Sequence, residues 1–135
     1  MNWEPRPLPT VDPETAPFWS ATEDGRLLLC ECQDCGLQFY YPRSLCPDCA
    51  SDDVEGVAAS GTGTVYSHTV TEHVSNWPDD LLPAVVAYVE LDEGPRVLTN
   101  IVGCDPADVE IGTRVEVRFV ETDRDLAIPV FEPLE

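Results

Sequence analysis

The sequence predicts a mainly β chain: an N-terminal helix and a cysteine-knuckle ribbon, followed by a five-stranded barrel. Three observations predict it. Two Cys-x-x-Cys pairs stand close together in the first half of the chain. From about Val54 onward, short runs rich in Val, Thr and aromatic residues recur at even spacing. Gly, Pro, Asn and Asp punctuate those runs as turn residues do. The expected division places the helix and ribbon in residues 1–53 and the barrel in residues 54–135.

The elements follow in order. Residues Met1 to Asp12 contain Pro5, Pro7 and Pro9 and read as extended chain. Thr10 or Asp12 is the expected cap of a short helix, with Pro13 in its first turn and Gly25 ending it. That helix carries Phe18 and Trp19. Arg26 to Glu31 and Gln38 to Tyr41 read as two short strands, each leading into a cysteine pair. Further strands are expected at Val54–Ser60, Gly63–Val74, Ala84–Leu91, Arg96–Val102, Arg114–Glu121 and Leu126–Phe131. The run Thr113 to Val120 alternates cleanly, as a half-buried strand does. Five main strands with little helix match the OB-fold, a partly open Greek-key barrel.

The cysteines carry the clearest chemistry. Cys32-Gln33-Asp34-Cys35-Gly36 and Cys46-Pro47-Asp48-Cys49 are two knuckles separated by a short span. Two residues between cysteines let a tight turn aim both sulfurs at one point. Gly36 stands where such a turn calls for a positive φ. Four thiolates make the closed tetrahedral site of structural zinc, with no open position for water or substrate. Zinc is therefore the expected cofactor, ahead of iron, which rubredoxin-like sites hold with the same sulfur set. Cys30 shares a strand face with Cys32 but lacks the knuckle spacing and reads as a small buried hydrophobe. Cys104 has no base near it in sequence. His68 and His73 are an odd number of residues apart, so a regular strand sends them to opposite faces.

Charge excludes one function class. The chain has 26 acidic and 7 basic residues, a formal net charge of −19, and all the basic residues are arginine. Phosphate-backbone affinity comes from clustered Lys and Arg, so nucleic-acid binding is disfavoured. A lysine-free acidic surface is expected of a protein adapted to concentrated salt, where self-repulsion is screened. A GC-rich genome would explain the missing lysine but not the acidic excess. No apolar run approaches the roughly 20 residues that cross a bilayer. The opening Met1-Asn2-Trp3-Glu4-Pro5 lacks the basic and apolar regions of a secretory signal. A cytoplasmic protein without membrane contact is expected.

The motifs together resemble a known family. Gly25-Arg26-Leu27-Leu28-Leu29, the two knuckles and Tyr41-Pro42-Arg43 resemble its zinc ribbon. Gly61-Thr62-Gly63-Thr64-Val65-Tyr66-Ser67-His68-Thr69-Val70, Glu93-Gly94-Pro95-Arg96 and Ile111-Gly112 resemble its OB-fold. This is the family catalogued as domain of unknown function 35. The chain departs from its pattern at Tyr41, where a proline is common. The resemblance implies a non-catalytic accessory subunit of a thiolase-superfamily enzyme: an acetyl-CoA acetyltransferase, a sterol-carrier-type thiolase or a thiolase-like aldolase. The chemistry stays on the partner, and a contact to acyl-CoA belongs to the implied role. The expected contact residues are Phe18, Trp19, Phe39, Tyr40, Tyr41, Arg43 and Trp77, the aromatics and arginine that usually anchor interfaces. A single-stranded nucleic-acid-binding OB-fold protein and a rubredoxin-like electron carrier are the competing readings.

Overall fold

The computed structural model describes residues 2–134. Its first regular element is α1, Ala16–Glu23. The expected start near Pro13 moves inward by one turn. Asp12 caps a tight turn instead, its Oδ1 accepting from the Thr15 N–H at 2.9 Å. Its carbonyl accepts from the Ala16 N–H at 2.8 Å. Pro17 then occupies the first turn of α1, where its missing N–H would have been unsatisfied anyway. Gly25 follows the helix at φ 73°, the left-handed conformation that ends helices.

Two β layers come next. Strands β1 (Leu28–Cys32), β2 (Gln38–Phe39) and β3 (Val54–Ala58) form a three-stranded sheet in the order β2-β1-β3. The placement of β3 differs from the expectation that grouped it with the barrel strands. Val54 pairs with Cys32 and Ala58 with Leu28, antiparallel. The expected boundary at 53/54 thus falls immediately before a strand that belongs to the ribbon sheet. One edge of a two-knuckle ribbon needs this third strand to satisfy the backbone of β1.

The remaining strands are β4 (Thr62–Thr71), β5 (Ala84–Leu91), β6 (Arg96–Ile101), β7 (Arg114–Glu121) and β8 (Ala127–Pro133). They close into a barrel in the order β4-β5-β6-β8-β7. Every junction is antiparallel except β6 with β8. This is the five-stranded OB-fold. Closure rests on β4, which pairs with β5 along its length and with β7 through Thr62–Thr64 only. A register shift between Val65 and Ser67 bends the strand so that it can serve both neighbours. Gly63 sits at that crossing. A Cβ there would lie 2.5 Å from the Glu90 carbonyl oxygen and 2.8 Å from a Val89 methyl. Arg114 on β7 also makes a two-pronged ion pair with Asp92, at 2.7 and 3.0 Å. With the Thr62 hydroxyl, it holds the Asp92 carboxyl down at about 2.

Ribbon and barrel share one core. Phe18 of α1, Leu27 and Leu29 pack in the same buried cluster as Val65, Val89, Val97, Val115 and Phe131 of the barrel. The Thr22 hydroxyl accepts from the Ala127 N–H at 3.0 Å, tying α1 to β8. A second, smaller cluster joins Trp3, Val120 and Val130, with Trp77 packed against it. The proline-rich N-terminal segment is therefore not free. Its Trp3 N–H donates to the Glu121 carbonyl at 2.8 Å. Among the described residues no helix is long and apolar enough to cross a membrane.

Candidate metal centre

The knuckles repeat one local design. In the first, the Cys32 N–H donates to Leu37 O and the Gly36 N–H to Cys32 O, both at 2.9 Å. In the second, the Cys46 N–H donates to Ser51 O and the Ala50 N–H to Cys46 O, also at 2.9 Å. The residue after each second cysteine has a positive φ, 79° at Gly36 and 63° at Ala50. Gly36 meets the sequence expectation. Ala50 adopts the same conformation despite its Cβ, and nothing in the residue type signals it. A hydrogen bond from the Ser51 hydroxyl to Asp34 fastens one knuckle to the other.

This design brings the four sulfurs of Cys32, Cys35, Cys46 and Cys49 within 4.8 Å of one another. Cys32 and Cys49 stand 3.6 Å apart, as do Cys35 and Cys46. A metal about 2.3 Å from each sulfur would set tetrahedral sulfurs about 3.8 Å apart. The cage therefore has the size of a metal site. Its electrostatics demand a cation. Backbone N–H groups, that of Cys35 foremost, bring the Cys32 thiol down to about 7. At Cys49 the Ser51 N–H pulls the same way. The Cys32 sulfur, desolvation and the other two sulfurs outweigh it and push that thiol up to about 12. Four sulfurs this close cannot all ionise without a positive ion between them. The residues fit a metal, and the set would hold zinc or iron alike. Cys30 stays outside the cage. Cys104 lies apart, its thiol pushed up by burial and by the neighbouring Asp108 and Asp105.

The seven residues expected at a partner surface separate into three groups. Phe18, Trp19 and Phe39 are buried in the chain's own core, Phe18 with only 1 % exposure. Phe18 stacks on Trp19 at 4.8 Å and meets both Tyr40 and Tyr41 edge-on or tilted. The Trp19 indole donates to the Tyr41 hydroxyl at 3.0 Å. Their burial has a plain cause. Aromatics are the cheapest way to fill a junction between helix, ribbon and barrel, and the same bulk suits an interface. Tyr40, Tyr41 and Trp77 are half-buried, and burial raises the Tyr40 hydroxyl strongly. Only Arg43 is exposed, beside a cleft of about 210 Å³ that it lines with Cys30 and Pro42. Sequence reasoning missed Trp3 and Arg6, a buried pair with Arg6 4.0 Å over the Trp3 ring. The proline-rich setting hid them.

Comparison with known proteins bears on the same two units. Residues 19–55 match the family described as the ChsH2 rubredoxin-like zinc ribbon domain, and residues 56–120 the ChsH2 C-terminal OB-fold domain. A DUF35 domain-containing scaffold protein of Methanothermobacter thermautotrophicus is 41% identical over 90 residues. That alignment covers 66% of this chain and 68% of the relative. The chain belongs to the DUF35 family. A solved structure of this family, described as an Ltp2-ChsH2(DUF35) aldolase, superposes with a TM-score of 0.83 at 40% identity. It covers 93% of this chain and 98% of its own. A probable enoyl-CoA hydratase alpha subunit of Thermomonospora curvata is 41% identical over 128 residues. This DUF35 chain spans only 40% of that relative's length.

Proposed function

We propose that the chain is a non-catalytic accessory subunit that docks on a thiolase-superfamily enzyme and supports its acyl-CoA chemistry. The observation that carries this reading is an apolar patch on the outer face of the barrel. Tyr66, Tyr88 and Leu98 are 47%, 46% and 57% exposed. Tyr88 pairs directly with Leu98 across β5 and β6. Arg96 lies 3.8 Å over the Tyr66 ring. In a chain of net charge −19, a clustered aromatic surface is the exception that asks for a partner. Relatives whose names read scaffold protein, hydratase alpha subunit and Ltp2-ChsH2(DUF35) aldolase support the same reading.

The metal's part is structural: Cys32, Cys35, Cys46 and Cys49 hold zinc and fix the ribbon. Catalysis belongs to the partner. The Cys104 thiol is held in the unreactive form by burial and by the neighbouring Asp108 and Asp105. The arginines of the sheet face are engaged with acids, Arg96 with Glu90 and Arg114 with Asp92. That leaves little for a nucleic-acid backbone. Arg43, exposed and outside every ion pair among the described residues, is the group suited to an acyl-CoA phosphate.

Co-expression with a thiolase-like protein from the same source should yield a complex that survives gel filtration. Tyr88→Asp or Leu98→Asp should weaken it about 30-fold or more, the loss of one interface anchor. Both positions face solvent, so metal content and circular dichroism should stay unchanged. Failure of the two proteins to co-purify would count against the docking role. A further expectation follows from the charge: the melting temperature should rise steeply between low and molar salt as self-repulsion is screened. A flat response would remove adaptation to concentrated salt as the reason for the acidic surface.

A further inference from the structure

Arg6 is an arginine in an unusual position. It is 6% exposed, yet no carboxylate of the described residues lies within ion-pair distance of it. Its Nε donates to the Trp3 carbonyl at 2.8 Å, and one terminal nitrogen reaches the Asn2 carbonyl at 3.4 Å. Two indoles hold the guanidinium in place, the Trp3 ring centre at 4.0 Å and the Trp77 ring centre at 5.2 Å. The Trp3 indole is itself pinned by donating to the Pro7 carbonyl at 2.7 Å. Among the described residues, the other terminal nitrogen, Nη1, has no hydrogen-bond partner. Burial lowers the affinity of Arg6 for its proton, yet a guanidinium stays charged in proteins. The result is a fixed, desolvated cation with one unused donor face.

Arg6 borders a cleft. Arg6 and Trp77 line a cavity of about 450 Å³ whose other walls include Leu82, Val85, Ile101 and Val102. The volume falls within the range of about 300–1,000 Å³ that small-molecule sites occupy. The walls are mostly apolar, with Asn100 and Cys104 among the polar ones, and Arg6 is the one cation among them. Apolar walls with a single oriented charge select a ligand that is apolar along its body and oppositely charged at one end. Asp80, itself exposed, also lines the cleft, so an anion held there pairs with Arg6 against that repulsion.

We infer that this cleft binds a small apolar carboxylate, whose anionic end pairs with the Arg6 fork between the two indoles. The site is independent of which enzyme the chain docks on, and its test needs the isolated chain only. Hexanoate and its neutral isostere hexanamide are titrated into the metal-loaded protein in moderate salt. Binding is read from the Arg6 Nε–H and Trp77 indole N–H resonances and from tryptophan fluorescence. Hexanoate is expected to bind at least tenfold more tightly than hexanamide, with shifts confined to Arg6, Trp77 and the β5–β6 end of the cleft. Arg6→Gln should abolish the preference for the acid while leaving weak binding of both. Equal affinity of the two probes for the wild-type chain, or shifts centred elsewhere, would overturn the proposal. That comparison decides the matter even if the Arg6→Gln chain does not fold.

Discussion

Replacing Cys35 or Cys46 by serine is expected to release the metal and unfold both knuckles together. Neither knuckle has a core of its own. Residues 33–37 and 47–51 are almost wholly exposed, and their order rests on four backbone hydrogen bonds within the knuckles and four sulfurs. A structural zinc of this type contributes about 10–16 kcal/mol of apparent binding energy. The whole stability of such a domain is about 5–15 kcal/mol. The metal is therefore the largest single contribution to the ribbon. Purified protein should hold about one metal ion per chain, and either variant should hold none. Metal analysis and hydrogen exchange of the knuckle amides measure both effects. The metal itself is identified by eye: zinc leaves the protein colourless, whereas thiolate-bound iron turns it red. Freshly purified chain without bound metal would refute the site.

Phe18→Ala should destabilise the chain by about 3–5 kcal/mol, the usual consequence of deleting a buried phenylalanine. For a domain of this size that lowers the melting temperature by on the order of 10–20 °C. The reason lies in what Phe18 touches. It is packed in the cluster that holds Leu27 and Leu29 of the ribbon and the inward valines of the barrel. It also meets Trp19, Tyr40 and Tyr41. Its loss should loosen ribbon and barrel in a single transition. Thermal unfolding followed by circular dichroism checks the size of the effect. A melting temperature within a few degrees of wild type would show that the junction is not the shared core. The same experiment separates Phe18 from a partner surface, since a surface residue would leave stability untouched.

Much of this was written in the chain. Cysteine spacing is a local property: two residues between sulfurs make a knuckle whatever surrounds it, so the metal site could be named in advance. The alternation from Arg114 to Glu121 and the turn residues between strands likewise act over a few positions. They placed β5 and β7 at their observed limits. Only the tertiary structure decided the rest, because each of those features depends on contacts distant in sequence. Whether Val54–Ala58 joins ribbon or barrel turns on which backbone donors are left unpaired, and β1 had them. Phe18, Trp19 and Phe39 have the composition of an interface, and only packing shows that they face inward. Conversely, Tyr88 and Leu98 look like ordinary strand residues, and only barrel closure turns them to solvent. Arg6 lies 71 residues before Trp77, and no local pattern links a proline-rich segment to the indole that clamps it. Turn and knuckle chemistry is settled by near neighbours; burial and exposure are settled by the whole chain, since water is excluded only once distant segments meet.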